Sequence, residues 1–233
     1  MVEIVSTSNE EIDVNLGGGL PIPSLMLIEG EHGTGKSAVA AQFISGMLKS
    51  DMKVLCITEN TVNDYIKKMK TITFNFSEAF LNNDLTLLSL HINGTSWSKE
   101  QALQLLPSIN KYIKEQSEKF DCVVIDSLSF VTAYSDMNKV LDFVTSCKYL
   151  VSSGMSVILT MHQNSIPQEV GLRLKAACDV YFSLRSSRIG DQAVKILNNI
   201  KMIGANSPPE ASFAFNIDPV FGIKIIPISM STV

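Results

Sequence analysis

Eight consecutive residues carry the clearest chemistry in this chain. Gly30-Glu31-His32-Gly33-Thr34-Gly35-Lys36-Ser37 fits the phosphate-loop pattern G-x-x-x-x-G-K-[ST]. In such a loop the backbone N–H groups surround a polyphosphate at a helix N-terminus. Lys36 is placed to neutralise charge on the β- and γ-phosphates, and Ser37 to offer a hydroxyl to Mg²⁺. Gly33 and Gly35 allow close backbone approach. The residues on either side support the pattern. Leu25 to Glu29 (LMLIE) reads as a buried strand, and Ala38 to Ile44 (AVAAQFI) as the start of a helix running to Lys49. Strand, glycine loop and helix together predict a nucleoside-triphosphate site spanning Gly30 to Ser37.

Further polar residues stand at the ends of apolar strands. Cys122 to Ile125 ends in Asp126, where a carboxylate can hold Mg²⁺ through a water. Glu59 follows the apolar run Lys53 to Thr58 and is the candidate base, able to orient or deprotonate an attacking water. Thr160-Met161-His162-Gln163 closes another apolar run; its polar groups either sense the γ-phosphate or only cap the strand. His32, at a variable position of the loop, reads as a bystander or a partner contact.

Strands and helices alternate around these residues. Asn63 to Lys70 reads as a helix and Leu85 to His91 as a strand. Lys99 to Glu118 is a helix with Leu103, Leu106, Ile109 and Ile113 at helical spacing. Met137 to Ser152 is a helix, and Met155 to Met161 a strand. Fully apolar strands between helices predict a parallel sheet covered on both faces. Asp179 to Leu184, Val194 to Met202 and Phe221 to Ile228 are β-rich, with a polar turn at Ser186 to Gly190. They predict an antiparallel extension of that sheet, giving an α/β nucleotide-binding fold.

The 233 residues, 45% of them hydrophobic, suffice for one core, and a single domain over residues 1–233 is expected. No signal-peptide layout and no apolar run of membrane-spanning length is visible. The net charge of −4 argues against a broad nucleic-acid surface. The cluster Lys67-Lys68-Met69-Lys70 reads as a solvated helix face or a docking patch for an acidic partner. Cys56, Cys122, Cys147 and Cys178 are too widely spaced for a zinc site. Cys56 and Cys122 read as small core residues, and a reduced, cytoplasmic setting is expected.

The stretch LGGGLPIPSLMLIEGEHGTGKS (Leu16 to Ser37) resembles the opening of RecA-like ATPases of the KaiC branch. The tail Lys201-Met202-Ile203-Gly204, with Phe213 to Ile217 and Gly222-Ile223, is similar to that branch too. The loop GEHGTGKS and the segment Ile57 to Thr61 look most like the accessory ATP-binding proteins of the archaeal flagellum, the archaellum. The resemblance implies a RecA-like P-loop core, ATP with Mg²⁺, and a hexameric ring. It also implies partners: the archaellum secretion/rotation ATPase and a membrane-linked scaffold ring, so that the protein lies peripheral to the motor base. The branch carries two adjacent glutamates after its second strand; here they are Glu59 and Asn60. It also carries a basic-x-basic pair that reaches a neighbouring subunit's γ-phosphate; here the positions are Lys201 and Ile203. One acid and one cation are lost. Trans-acting cations contribute roughly 10³-fold or more to rate, so these departures imply ATP held as a signal with slow or absent turnover. The competing expectations are an active ATPase motor of the same fold and a RecA-like DNA recombination or repair ATPase.

Overall fold

A computed structural model describes residues 2–91 and 98–227. The chain opens with strand β1 (Glu3–Val5), helix α1 (Glu10–Asn15) and strand β2 (Leu20–Ile22); β1 and β2 pair antiparallel as a small separate sheet. Next come β3 (Leu25–Gly30), α2 (Lys36–Lys49), β4 (Val54–Thr58), α3 (Val62–Lys70), α4 (Ser77–Leu81) and β5 (Leu85–Ser89). The middle of the chain adds α5 (Lys99–Glu115), β6 (Cys122–Asp126), α6 (Leu128–Thr132), α7 (Met137–Ser152), β7 (Ser156–His162) and α8 (Gln168–Ala177). The last four strands are β8 (Val180–Ile189), β9 (Gln192–Met202), β10 (Ser212–Asp218) and β11 (Gly222–Ile226).

Among the described residues nine strands form the main sheet, in the order β11-β10-β9-β8-β3-β7-β6-β4-β5. From β8 to β5 every pairing is parallel. From β8 to β11 every pairing is antiparallel. Alternate residues along the parallel strands feed two cores. Met26, Ile28, Cys56, Val124 and Phe182 pack on the α2 side. Leu27, Ile57, Val123 and Leu159 pack on the side of α5, α7 and α8. β3 lies between β7 and β8, and all six of its residues are buried. A strand buried on both faces has no solvent side, which is why it reads as an apolar run from Leu25 to Ile28 before Glu29.

The triple glycine begins the approach to β3. Gly17 has φ +73° and runs against the Ser207 carbonyl, leaving no room for a Cβ. Asp179 holds the base of the same strand: the Leu25 amide donates to its Oδ2, and Lys148 Nζ donates to its Oδ1 at 3.1 Å. All four cysteine thiols are buried and unpaired, Cys147 and Cys178 as well as Cys56 and Cys122. Burial pushes the Cys56 thiol up to about 12.

Several sequence expectations need correction in detail. α5 ends at Glu115 and a single 3-10 turn (Ser117–Lys119) follows, so the predicted helix to Glu118 is two elements. Pro107 lies inside α5, where its missing N–H leaves a carbonyl one turn earlier without its helical donor. Lys139 Nζ from α7 donates to that oxygen, on Leu103, at 3.1 Å. The predicted turn at Ser186 to Gly190 belongs mostly to β8, which pairs with β9 up to Ile189–Gln192. Its polar residues mark a solvated hairpin rather than a break. The predicted strand Phe221 to Ile228 is observed as Gly222–Ile226, and position 228 lies outside the described residues.

Candidate nucleotide site

Strand register assembles the site. Gly30 pairs with His162, Thr58 with Asp126, and Ile125 with Leu159. The C-terminal ends of β3, β4, β6 and β7 therefore form one rim, and the phosphate loop rises from it into α2. At an open α/β sheet this rim is where ligands bind. A cavity of about 440 Å³ opens there, and Gly33, Gly35, Lys36, Ser37, Glu59, Asn60, Asp126 and His162 all line it.

The loop is held by its own side chains. Thr34 Oγ1 donates to the Glu31 carbonyl at 2.9 Å. Gly35 caps α2 with φ +95°, and a Cβ there would sit 3.1 Å from both Ile217 Cδ1 and Lys195 Cδ. Lys36 is folded back: its Nζ donates to the Gly30 and Glu31 carbonyls at 2.9 and 2.8 Å and lies 3.1 Å from His162 Nδ1. Burial lowers the Lys36 pKa, and the nearby Asp126 carboxylate opposes that shift. Since the ammonium can only donate, His162 Nδ1 is the acceptor and Nε2 carries the hydrogen of the neutral ring.

The structure brings every predicted cis residue to this rim. Asp126 is buried, and its Oδ1 accepts from Thr160 Oγ1 at 2.6 Å. Glu59 lies close enough to Asp126 to feel its charge. Burial first, then Asp126, raises the Glu59 pKa, while Lys68 and His32 oppose the rise. Asn60 turns back to β4, its Nδ2 donating to Thr58 Oγ1 at 3.0 Å. His32 is more than a loop bystander: it stacks on His162 with ring centroids 3.9 Å apart and planes 28° apart. A network anchors His162, whose amide donates to Ser129 Oγ and whose carbonyl accepts from Ser165 Oγ.

Lys201 is not on this rim. It pairs with Tyr181, which pairs with Leu27, three residues before Gly30 on β3. That is about 10 Å back along the strands. Its Nζ donates instead to the Ala176 and Cys178 carbonyls at the end of α8. Ile203, at the second cation's position, is 55% exposed.

Sequence reasoning missed five contributors. Lys68, read as part of a solvated cluster, lines the cavity from α3 with Met69. Ile72 and Ile217 add an apolar wall. Lys195 lays its aliphatic stem beside Gly35. The one available signal was a lysine inside the apolar alternation of β9, between the buried Val194 and Ile196.

The burial around His162 has a consequence for pH. Burial, then Lys36, then His32 lower its pKa below the usual histidine value, with Asp126 opposing. A depressed folded pKa gives stability that is present above about pH 6.5, the unfolded value, and lost as pH falls through the folded one. The nucleotide-free protein should therefore lose urea resistance on going from pH 7.5 to 5.5. In His162→Gln, that part of the pH dependence should disappear from the denaturation midpoints.

The residues fit a triphosphate with a divalent ion. The loop has two glycines at positive φ, a lysine at the helix start, a buried carboxylate opposite, and a polar-floored cavity with an apolar side. Sheet order and loop together define a RecA-like P-loop fold. The family model described as "ATPase: KaiC" matches residues 5–230, and the chain belongs to that family. It is 37% identical over 229 residues to the archaeal flagellar ATP-binding protein FlaH of Sulfolobus acidocaldarius, covering 98% of this chain and 99% of that one. Among solved structures, FlaH of Methanocaldococcus jannaschii superposes with a TM-score of 0.87 at 20% identity, over 98% of this chain and all of that one. A KaiC-like protein of Pyrococcus horikoshii superposes at 0.77 and 20% identity, over 97% of this chain and all of that one.

Proposed function

We propose that this chain is an ATP-binding regulatory and assembly component of the archaellum motor. Nucleotide would control its oligomerisation and partner binding, with slow or no hydrolysis. The observation that carries this reading is the division of charge. Lys36, Ser37, Glu59 and Asp126 share one cavity, whereas Lys201 stands about 10 Å back along the strands with its Nζ turned to α8. A cation that cannot reach its own loop is available to the site of another copy.

In this reading the loop amides and Lys36 hold the phosphates. Ser37 Oγ and Asp126, the latter through a water, would hold Mg²⁺, which would supply charge neutralisation to the phosphates. Met69, Ile72 and Ile217 offer the base an apolar wall. Asn60 cannot accept a proton and Ile203 carries no charge, so turnover lacks two of its helpers. Six copies would form a ring facing the secretion/rotation ATPase on the cytoplasmic side, beside the membrane-linked scaffold ring. Among the described residues no helix is long and apolar enough to cross a membrane, consistent with attachment through partners.

A ligand shifts assembly only if it binds the assembled state better; a γ-phosphate contacted by Lys201 of the next copy supplies that difference. Light scattering should show a larger particle with Mg-ATP than without. Lys201→Ala should weaken that shift. The same particle size with and without Mg-ATP would refute the reading. Glu59 sustains a second one, an active ATPase, because its raised pKa makes it a better base at the cavity wall.

A further inference from the structure

The position of Lys201 has a consequence for helix α8. The last carbonyls of a helix lack intrahelical donors, and cations near them are stabilising. α8 ends without glycine, at Ala177, with Cys178 as an extended cap. Lys201 Nζ donates to the Ala176 carbonyl at 3.1 Å and to the Cys178 carbonyl. The helix thus borrows its C-terminal cap from a strand on the other side of β8.

The strand that delivers this lysine is irregular at that point. Tyr181 pairs with Lys201 and Phe182 with Asn199, so Ile200 is bulged out of the ladder and is 58% exposed. Bulges re-aim side chains and interrupt pairing. Beside the bulge, the buried Asn199 Oδ1 has no hydrogen-bond partner among the described residues. An unsatisfied buried oxygen costs free energy, so this end of β9 is not at its hydrogen-bonding optimum.

We propose that Lys201 is a two-position latch, parked on the Ala176 and Cys178 carbonyls in the single chain and drawn off them by the nucleotide of an adjoining copy, so that the last turn of α8 loosens on assembly. This rests on the assembly reading above. The same helix carries Lys175, whose Nζ lies 2.8 Å from Glu29 Oε2 and 5.5 Å from the Tyr181 ring centre. Glu29 directly precedes Gly30, the first glycine of the phosphate loop. Loosening α8 therefore acts at the foot of the chain's own nucleotide site.

Hydrogen exchange of residues 174–178, read alongside light scattering, tests the latch. In the nucleotide-free wild type these amides should exchange slowly, and Lys201→Met, which removes two charged hydrogen bonds, should speed them about tenfold or more. Lys201→Arg, which keeps a long cationic donor, should restore slow exchange. Assembly of the wild type with Mg-ATP should bring the same acceleration, and Lys201→Met should show no further change. Slow exchange in nucleotide-free Lys201→Met, or in the assembled wild type, overturns the latch while leaving the assembly reading intact. A wild type that does not assemble with Mg-ATP overturns both, since nothing then removes the lysine from α8.

Discussion

Lys36→Ala should weaken Mg-ATP binding about 100-fold or more while leaving the fold in place. Charge-assisted hydrogen bonds contribute about 1.5–3 kcal/mol each, and Lys36 supplies the ammonium nearest the loop carbonyls of Gly30 and Glu31. No other lysine among the described residues is positioned to replace it. Lys68 approaches from α3 across the cavity, and Lys195 crosses behind Gly35. The fold should survive because burial already penalises the Lys36 charge, so its loss removes a desolvated ion along with its contacts. Calorimetric titration of the variant, with its melting temperature measured alongside, separates the two effects. Near wild-type affinity in Lys36→Ala would show that the nucleotide lies elsewhere.

Glu59→Gln should act in the opposite direction on binding. Glu59 and Asp126 are two carboxylates within Coulombic reach of each other at one cavity, and burial raises the pKa of Glu59. Removing one negative charge beside a polyanion should tighten Mg-ATP several-fold. A positioned base contributes about 10²–10⁴-fold to a proton-transfer step, so any phosphate release by the wild type should fall by at least about 100-fold. The size of the wild-type rate then distinguishes the two functional readings. Turnover of roughly 1–10³ s⁻¹, abolished by Glu59→Gln, would establish a working ATPase. A trace rate with tight binding in both proteins supports a nucleotide-held assembly state. Unchanged release in Glu59→Gln would remove this residue from the chemistry.

The residues around the candidate cavity were legible in the sequence where they are local or lie at strand ends. The loop is one octet, and Glu59, Asp126 and His162 each close an apolar run. A parallel sheet places such ends side by side, so naming the strands placed the residues. What stayed hidden depends on pairing between distant segments. His32 meets His162, and Lys68 reaches the cavity, only because α3 and the β7 end converge on the loop. β8 was cut short because Arg185 to Arg188 are polar and partly or fully exposed. In an antiparallel hairpin the ladder continues through solvated residues, and composition does not reveal it. Lys201 could be singled out from its motif, but its contact with α8 depends on a bulge that leaves no mark in the residue types.

In the proposed reading the folded-back lysine would also govern timing. With its Nζ on the Gly30 and Glu31 carbonyls and against His162, the loop would act as an internal competitor for its own ligand. Loading is an exchange of one set of acceptors for another, so capture requires the side chain to swing free first and should run slower than encounter. The reverse exchange assists departure, because the carbonyls are ready to take the ammonium back as the phosphates leave. A subunit built this way would update slowly when nucleotide arrives and reset without leaving a bare charge behind.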